Sequence, residues 1–500
     1  MPQTTAGRPP RSWGTAPPRT SPHRWWILTV IGIAQLMVVL DATVVNIALP
    51  SIQGDLGFTD SNRQWIVTSY SLAFGSLLLL GGRLADLIGR KAIFMIGVAG
   101  FASASALAGA AWNFEILVAG RALQGLSGAM LAPAALSLLN TTFTDAKERA
   151  KAFGVYGAIT GTGGATGLLL GGLLTESLNW RWTLYINLVF AVIALTAGWI
   201  LLERSARTSR TRLDLPGTAL VSAGLFALVY GLSNADTHGW SSPTAWGFLA
   251  GGAVLLAVFS WWQTRTAAPL LPLRILLDRN RGASFAAVAV CGAGMFCAFL
   301  FLTLYLQNIL RYSPVTTGLA FLPMVCGLVV SAQLSSRTLL PRLGPKSVVP
   351  LGMGMAAVGM VWLTDLGLSS TYAAGVLPPL LVIGLGLGLV MPAAMSLATD
   401  RVAAEDAGVA SAAVSTMQQI GGAIGTALLN TLAASAATHY LAGERRTPEL
   451  VVQAQLHSFS TAYWWAAGIF TAGLVATGLL YRKGLVSHDL DVPAAVHTQP

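Results

Sequence analysis

LDATVVNIALP, residues 40–50, closes a long apolar run that opens near Trp25 and holds a single acid, Asp41. At 1.5 Å of rise per residue, about 25 residues cross a hydrocarbon core of about 30 Å, so residues 25–49 read as a membrane-spanning helix. A carboxylate inside such a helix is costly and marks a pathway for protons, ions or substrate. The run is too long for the apolar region of a secretory signal, about 7 to 15 residues. Residues 1–24 before it are rich in Pro, Ser, Thr and Arg and read as a disordered tail.

Outward from this helix the rest of the chain has the same character. It is 54% hydrophobic and only 10% charged, with a mean hydropathy of +0.64, which describes an all-α polytopic membrane protein. Apolar runs predict fourteen spans, near residues 25–49, 64–82, 92–110, 114–139, 150–173, 182–202, 213–232, 244–262, 282–306, 317–336, 348–366, 373–397, 407–436 and 459–481. Charge tests this count, because short loops on the cytoplasmic side carry the excess of Lys and Arg. With the amino terminus inside, the inner segments hold 24 of the 30 Lys and Arg, the outer loops hold five, and Arg121 lies within the fourth span. Both termini are then cytoplasmic, the localisation is a cell membrane, and the net charge of +10 follows from topology and anionic lipid rather than from a nucleic acid partner.

Other chemistry finds little support. Cys291, Cys297 and Cys326 fall within apolar runs, which fits core packing and gives no disulfide framework. The six His residues are scattered through tails and outer loops without metal-ligand spacing, and no loop is long enough to fold into a catalytic domain. No metal, no cofactor and no enzymatic activity are expected, which disfavours a membrane enzyme or receptor.

Asp41 is the one acid well inside a span and Arg121 the one base. Counted from the outer ends of their helices, both lie roughly 10 to 12 Å below the outer surface, so they are candidate partners. Two readings follow from such a pair. It fastens helix one to helix four as a buried salt bridge, or it titrates: burial favours the neutral acid, a nearby guanidinium favours the carboxylate, and the balance in each conformation decides whether a proton is held.

Three further stretches carry chemistry. GRLADLIGRKAIF, residues 82–94, joins the second and third spans on the inner side; Gly89 permits a tight turn, Asp86 can answer the dipole of a facing helix end, and Arg90 and Lys91 can pair with acids or lipid phosphates. RALQGLSGA, residues 121–129, puts Arg121, Gly125 and Gly128 on one helix face, where the glycines admit a close neighbour. GAITGTGGATGLLLGG, residues 157–172, supplies Gly157, Gly161, Gly164, Gly167, Gly171 and Gly172 in the fifth span. NWRWTLYINL, residues 179–188, and QQIGGAIGTALLNT, residues 418–431, are weaker marks, and Trp180 and Trp182 suit an interfacial anchor.

These motifs together resemble the fourteen-helix drug/proton antiporters of the major facilitator superfamily, over most of residues 25–480. LDATVVNIALP is similar to that subfamily's helix-one signature. Gly82, Leu84, Asp86, Gly89, Arg90 and Lys91 match the superfamily's loop pattern, and Arg121, Gln124, Gly125, Gly128 and Ala129 match its helix-four pattern. The glycine stretch departs from the family at Leu168, where a Gly-Pro pair is expected and a kink-forming proline is missing.

The resemblance implies a major facilitator fold: two six-helix bundles, residues 25–202 and 282–481, with two inserted helices in 203–281 and cytoplasmic tails at 1–24 and 482–500. RTLLPRLGPK, residues 337–346, is a degraded echo of the first loop motif, with Gly344, Arg342 and Lys346 but no acid. The resemblance also implies efflux of lipophilic, drug-sized compounds in exchange for protons, driven by the proton gradient, with Asp41 and Arg121 as the proton-coupling pair and the Asp86 loop latching the halves in the outward-open state. A proton symporter or importer of the same fold is the alternative. Asn46, Tyr70, Gln124, Tyr156, Tyr305, Gln307, Gln418 and Gln419 are candidates to line the substrate cavity, and a monomer in the lipid bilayer is expected.

Overall fold

The computed structural model describes residues 22–482, except 59, 144, 204–212, 239–241, 267–268, 401, 404–405 and 443–446. The expected tails at 1–24 and 482–500 and the basic run of the insertion therefore fall largely outside the described residues. Among these the chain is helical throughout, without a strand.

The first group comprises α1 (Arg24–Leu56), α2 (Asp60–Ile88), α3 (Arg90–Gly109), α4 (Phe114–Thr142), α5 (Ala146–Ser177) and α6 (Trp182–Leu201). Next come α7 (Leu215–His238), α8 (Pro243–Gln263) and the short α9 (Leu273–Leu277). The rest is α10 (Arg279–Leu304), α11 (Pro314–Leu334), the short α12 (Leu340–Leu343), α13 (Pro345–Leu363), α14 (Leu377–Ala398), α15 (Ala407–Tyr440) and α16 (Pro448–Leu480). Thirteen of these helices are long and apolar enough to cross a membrane. The remaining expected span, 150–173, lies within α5, one continuous helix of 32 residues that includes side chains outside the described set.

Helix is the form this composition demands, because in lipid each backbone N–H and C=O must find its partner within the segment. The ends are finished locally. Asn113 caps α4 by accepting from the Ile116 N–H at 2.9 Å, Thr447 caps α16 by accepting from Leu450 N–H at 3.2 Å, and Gly57 closes α1 in the left-handed conformation with φ of 69°. The first helix runs seven residues past its expected end at Leu49.

Helices α1–α6 pack on one another, through α1 against α5 and α6, α2 against α4, and α3 against α4 and α6. Helices α10–α16 form a second group, through α10 against α15, α11 against α14, and α13 against α14 and α16. The groups meet where α5 lies on α11 and α14, and where α2 and α4 lie on α15. The α7–α8 hairpin sits over this second seam, with α7 touching both α2 and α15. Its apolar contact joins Leu79 of α2, Val221 and Leu225 of α7, Phe259 of α8, and Val409 and Ala412 of α15.

Candidate functional site

Asp41, 1% exposed, lies in the middle of the first group, and four helices converge on it. Arg121 of α4 donates through Nη1 to Asp41 Oδ2 at 2.5 Å. Gln124, one turn further along α4, donates through Nε2 to Asp41 Oδ1 at 2.8 Å, and Asn187 of α6 donates through Nδ2 to the same oxygen at 2.9 Å. Ser105 of α3 backs both amides, its hydroxyl oxygen 2.7 Å from Gln124 Nε2 and 3.3 Å from Asn187 Nδ2.

Arg121 is held as firmly as the acid. Its Nη1 also donates to Gln124 Oε1 at 2.9 Å, its Nε donates to the Ile66 carbonyl of α2 at 3.2 Å, and the guanidinium lies 4.6 Å from the Tyr70 ring centre. The close approach of α2 that allows this comes from the glycine face of α4: a Cβ on Gly125 would lie 2.4 Å from the Tyr70 carbonyl oxygen, and one on Gly128 3.0 Å from the Phe74 ring. The pair is thus a buried, hydrogen-bonded ion pair, the arrangement in which losing one partner costs about 3 to 5 kcal/mol.

A second polar site lies at the end of the bundle that carries both Arg24 and Arg482, called the terminal end below. Asp86, near the end of α2, accepts from the backbone N–H of Gly408 at 2.9 Å and of Val409 at 3.2 Å, capping the start of α15 in the other group. An anion at a helix amino terminus is favoured by free N–H groups and the helix dipole together. Arg90 lies 3.9 Å from Asp86. Gly82 and Gly408 make this reach possible, because a Cβ on either would sit about 2.5 Å from the other's carbonyl oxygen, at 2.5 and 2.4 Å. Gly89 has φ of 109°, a left-handed value that suits glycine, with open space around it. Lys91 donates to the carbonyls of Trp199, at 2.9 Å, and Leu202, which ties α3 to the end of α6.

More links join the two groups at the terminal end. Arg83 lies 3.9 Å from Asp406, which also holds Arg274 of α9 at 2.8 Å; Arg149 of α5 pairs with Asp400 at 2.5 Å, and Asn140 donates to the Thr399 carbonyl at 3.4 Å. In this conformation the terminal end is closed.

The glycine stretch of α5 has two faces. Gly167 and Gly171 lie against Thr43 and Val44 of α1, whereas Gly157 and Gly164 lie against Pro392 of α14 and Phe299 of α10, across the groups. Gly172 is buried, and the surroundings of Gly161 and of the Leu168 side chain fall outside the described residues.

The cavity candidates differ in their surroundings. Tyr70 and Gln124 belong to the Asp41 network. Tyr156 donates to Gln35 Oε1 at 2.7 Å, pinning α5 to α1, and Tyr305 donates to the Gly367 carbonyl at 2.8 Å. Gln307, Gln418 and Gln419 are half-buried, and the Asn46 side chain lies outside the described residues. Trp180 is buried and donates to Asp55 at 3.0 Å, so of the two expected anchors only Trp182 is exposed. Ser105, Asn187, Gln35, Arg83 and Asp406 are the functional-site residues that sequence reading missed. Asn187 stood inside NWRWTLYINL and Arg83 inside GRLADLIGRKAIF, the two signals available.

A membrane transporter built of two helix groups around a seam, with a buried ion pair in one of them, is the class these features define. The pattern of the Major Facilitator Superfamily matches residues 31–426. The chain belongs to that superfamily. It is similar to the puromycin resistance protein pur8 of Streptomyces alboniger, at 50% identity over 95% of each chain, and to the cephamycin export protein CmcT of Amycolatopsis lactamdurans, at 38% identity over 80% of this chain and 83% of that one. Similarity to the tetracenomycin C resistance and export protein of Streptomyces glaucescens is 34% identity over 82% and 76% of the two chains. The crystal structure of the human organic anion transporter MFSD10 (TETRAN) shares the fold, with a TM-score of 0.62 at 16% identity, over 91% of this chain and 100% of that one.

Proposed function

We propose that this chain is a proton-coupled exporter of lipophilic, drug-sized compounds, an antibiotic or multidrug antiporter of the cell membrane. The observation that carries the reading is the similarity, over nearly the whole length, to proteins named for antibiotic resistance and export. Both termini face the cytoplasm in this reading, which the clustering of Lys and Arg in alternate loops supports. Residues 25–202 and 282–481 act as the two rocking bundles and 203–281 as the inserted pair, with the 1–24 and 482–500 tails inside.

Asp41 is the proton site. Its carboxylate is held by Arg121 and two amides in the closed-terminal-end conformation, and a proton arriving from the opposite side neutralises it and releases Arg121 from its strongest partner. That change in a dry site is large enough to bias a conformational equilibrium. Each proton moving inward through about 100 mV supplies roughly 2.3 kcal/mol. Asp86 acts as the latch, since opening the terminal end uncaps α15. Substrate enters from the cytoplasm or inner leaflet when that latch is open and leaves on the other side when it closes.

Growth inhibition across a panel of antibiotics and dyes tests this, comparing cells that express the wild type and Asp41→Asn at equal levels. The wild type should protect against one or more compounds and the variant against none of them. Equal protection by both would rule out Asp41 as the coupling site; no protection by either would rule out drug export.

A further inference from the structure

Asn187 has an unusual hydrogen-bond inventory. It is fully buried, its Nδ2 donates to Asp41 Oδ1 at 2.9 Å and toward Ser105 Oγ at 3.3 Å, yet its carbonyl oxygen Oδ1 is buried with no hydrogen-bond partner among the described residues. A buried acceptor left empty costs about 1 to 3 kcal/mol, so a transporter that keeps one beside its central carboxylate has a use for it. Gln124, the other amide on Asp41, differs: its Oε1 is already occupied by Arg121 Nη1, so it cannot turn without breaking that bond.

Consider Asp41 when it takes up a proton on Oδ1. That oxygen now carries an O–H and already receives two N–H groups, from Gln124 and Asn187. The new hydrogen needs an acceptor, and Arg121 offers only donors. A half-turn of the Asn187 carboxamide about its last torsion, which is broad and roughly two-fold, brings Oδ1 to the position held by Nδ2. The group keeps its shape and volume, so the surrounding helices need not move for the turn. The orientation seen here suits the carboxylate; the reversed one suits the acid.

We propose that Asn187 is an amide switch that reads the protonation state of Asp41, donating to the carboxylate and accepting from the neutral acid. This rests on the reading of Asp41 as the proton site. Only the O–H bond of Asp41 forms in the step, with the proton drawn from water at the opposite end of the bundle, and the amide exchanges hydrogen bonds without changing charge. The other charged or titratable groups facing Asp41 are Arg121 from α4 and Tyr70 from α2. Helices α3 and α6 contribute the uncharged Ser105 and Asn187, and α5 turns Gly163, Gly167 and Gly171 toward α1.

Asn187→Leu removes one of three donors to the carboxylate and also the amide acceptor that the turned group offers the acid. Both protonation states lose a partner, so the switch is read from the turning carboxamide itself. The test is pH-difference infrared spectroscopy on the purified full chain in lipid nanodiscs, with the pH profile of export measured alongside. In the wild type, a carboxylic acid C=O band should appear together with a shifted carboxamide C=O band, at one midpoint. Asp41→Asn should abolish both, and Asn187→Leu should abolish the carboxamide band while the acid band persists. An acid band present in the wild type and absent in Asp41→Asn, with no carboxamide band titrating beside it or with one that survives in Asn187→Leu, overturns the switch while sparing the proton site. If Asp41→Asn leaves the acid band in place, the reading of Asp41 itself fails.

Discussion

Within the first helix group, Arg121, Gln124, Asn187 and Ser105 close around one carboxylate; the large buried side chains of the second include Tyr305, Tyr463, Phe301, Phe321, Phe470, Met324 and Met360, with Cys291 and Cys297 buried as well. Both groups are built from six long helices of similar apolar content, so neither needs polar chemistry to pack. The one charged group buried in the second group among the described residues is Asp406, at the terminal end rather than the core. On the proposed reading of Asp41 as the proton site, the labour divides: the first group's core answers to protonation, and the second group's core does not. A rocking carrier needs only one titrating half if the other can follow it mechanically through shared seams.

The largest effect should come from breaking the charged core. Arg121→Leu leaves Asp41 buried with two neutral donors, and the loss of the pair should cost about 3 to 5 kcal/mol. A fall in the thermal unfolding midpoint in detergent and complete loss of export are expected; a change no larger than that from Tyr305→Phe would erase the contrast between the two cores.

Next comes the mechanical link. Gly408→Val puts a side chain where the Gly82 carbonyl and the Asp86 carboxylate already lie, with Cβ 2.4 Å and 2.7 Å from them, so α2 and α15 must separate at a cost of about 1 to 3 kcal/mol. Hydrogen exchange should accelerate at residues 83–90 and 407–412 while the Asp41 region stays protected. Acceleration around Asp41 to the same degree would mean that the core and the seam are one unit.

A milder cut at the same place is Asp86→Asn. One amide oxygen can still accept from Gly408 or Val409, but the anion that answers the α15 dipole is gone, and about 0.5 to 2 kcal/mol of closure should be lost. The exchange rate at 407–412 should rise less than in Gly408→Val. The smallest effect belongs to the second core. The Tyr463 hydroxyl is fully buried without a hydrogen-bond partner among the described residues, so Tyr463→Phe should leave the unfolding midpoint unchanged or raise it slightly. A loss of more than about 1 kcal/mol would reveal polar chemistry in the half described here as inert.

Much of this was legible in the chain itself, for reasons that differ by residue. Asp41 and Arg121 could be paired because depth in a membrane follows from counting along helices. The glycine face of α4 could be read because i, i+4 and i+7 define a face whatever lies opposite. Gly89 could be read because a tight turn is a local demand. Ser105 could not: within FASASALAG a small polar residue looks like helix packing, and nothing local says which neighbour it meets. Asn187 lay in plain view, but its use depends on how α6 is rotated against α1, which sequence spacing does not fix. Arg83 sits inside the loop motif, but its partner Asp406 is 323 positions away and has no distinctive local pattern. The partners of the cavity candidates were not legible either, because polar side chains in apolar helices satisfy themselves on whatever the packing brings near, as Tyr156 does on Gln35 and Tyr305 on a backbone carbonyl.

The crossing of Gly82 and Gly408 has a further consequence. Two helices that meet through bare backbone have no side-chain rotamers there with which to part by degrees. Such a contact works like the detent in a mechanical switch: it is either engaged or released, and intermediate positions are poorly supported. Motion of the terminal end should therefore proceed in discrete clicks, their frequency set by how often this notch and the polar links beside it let go together.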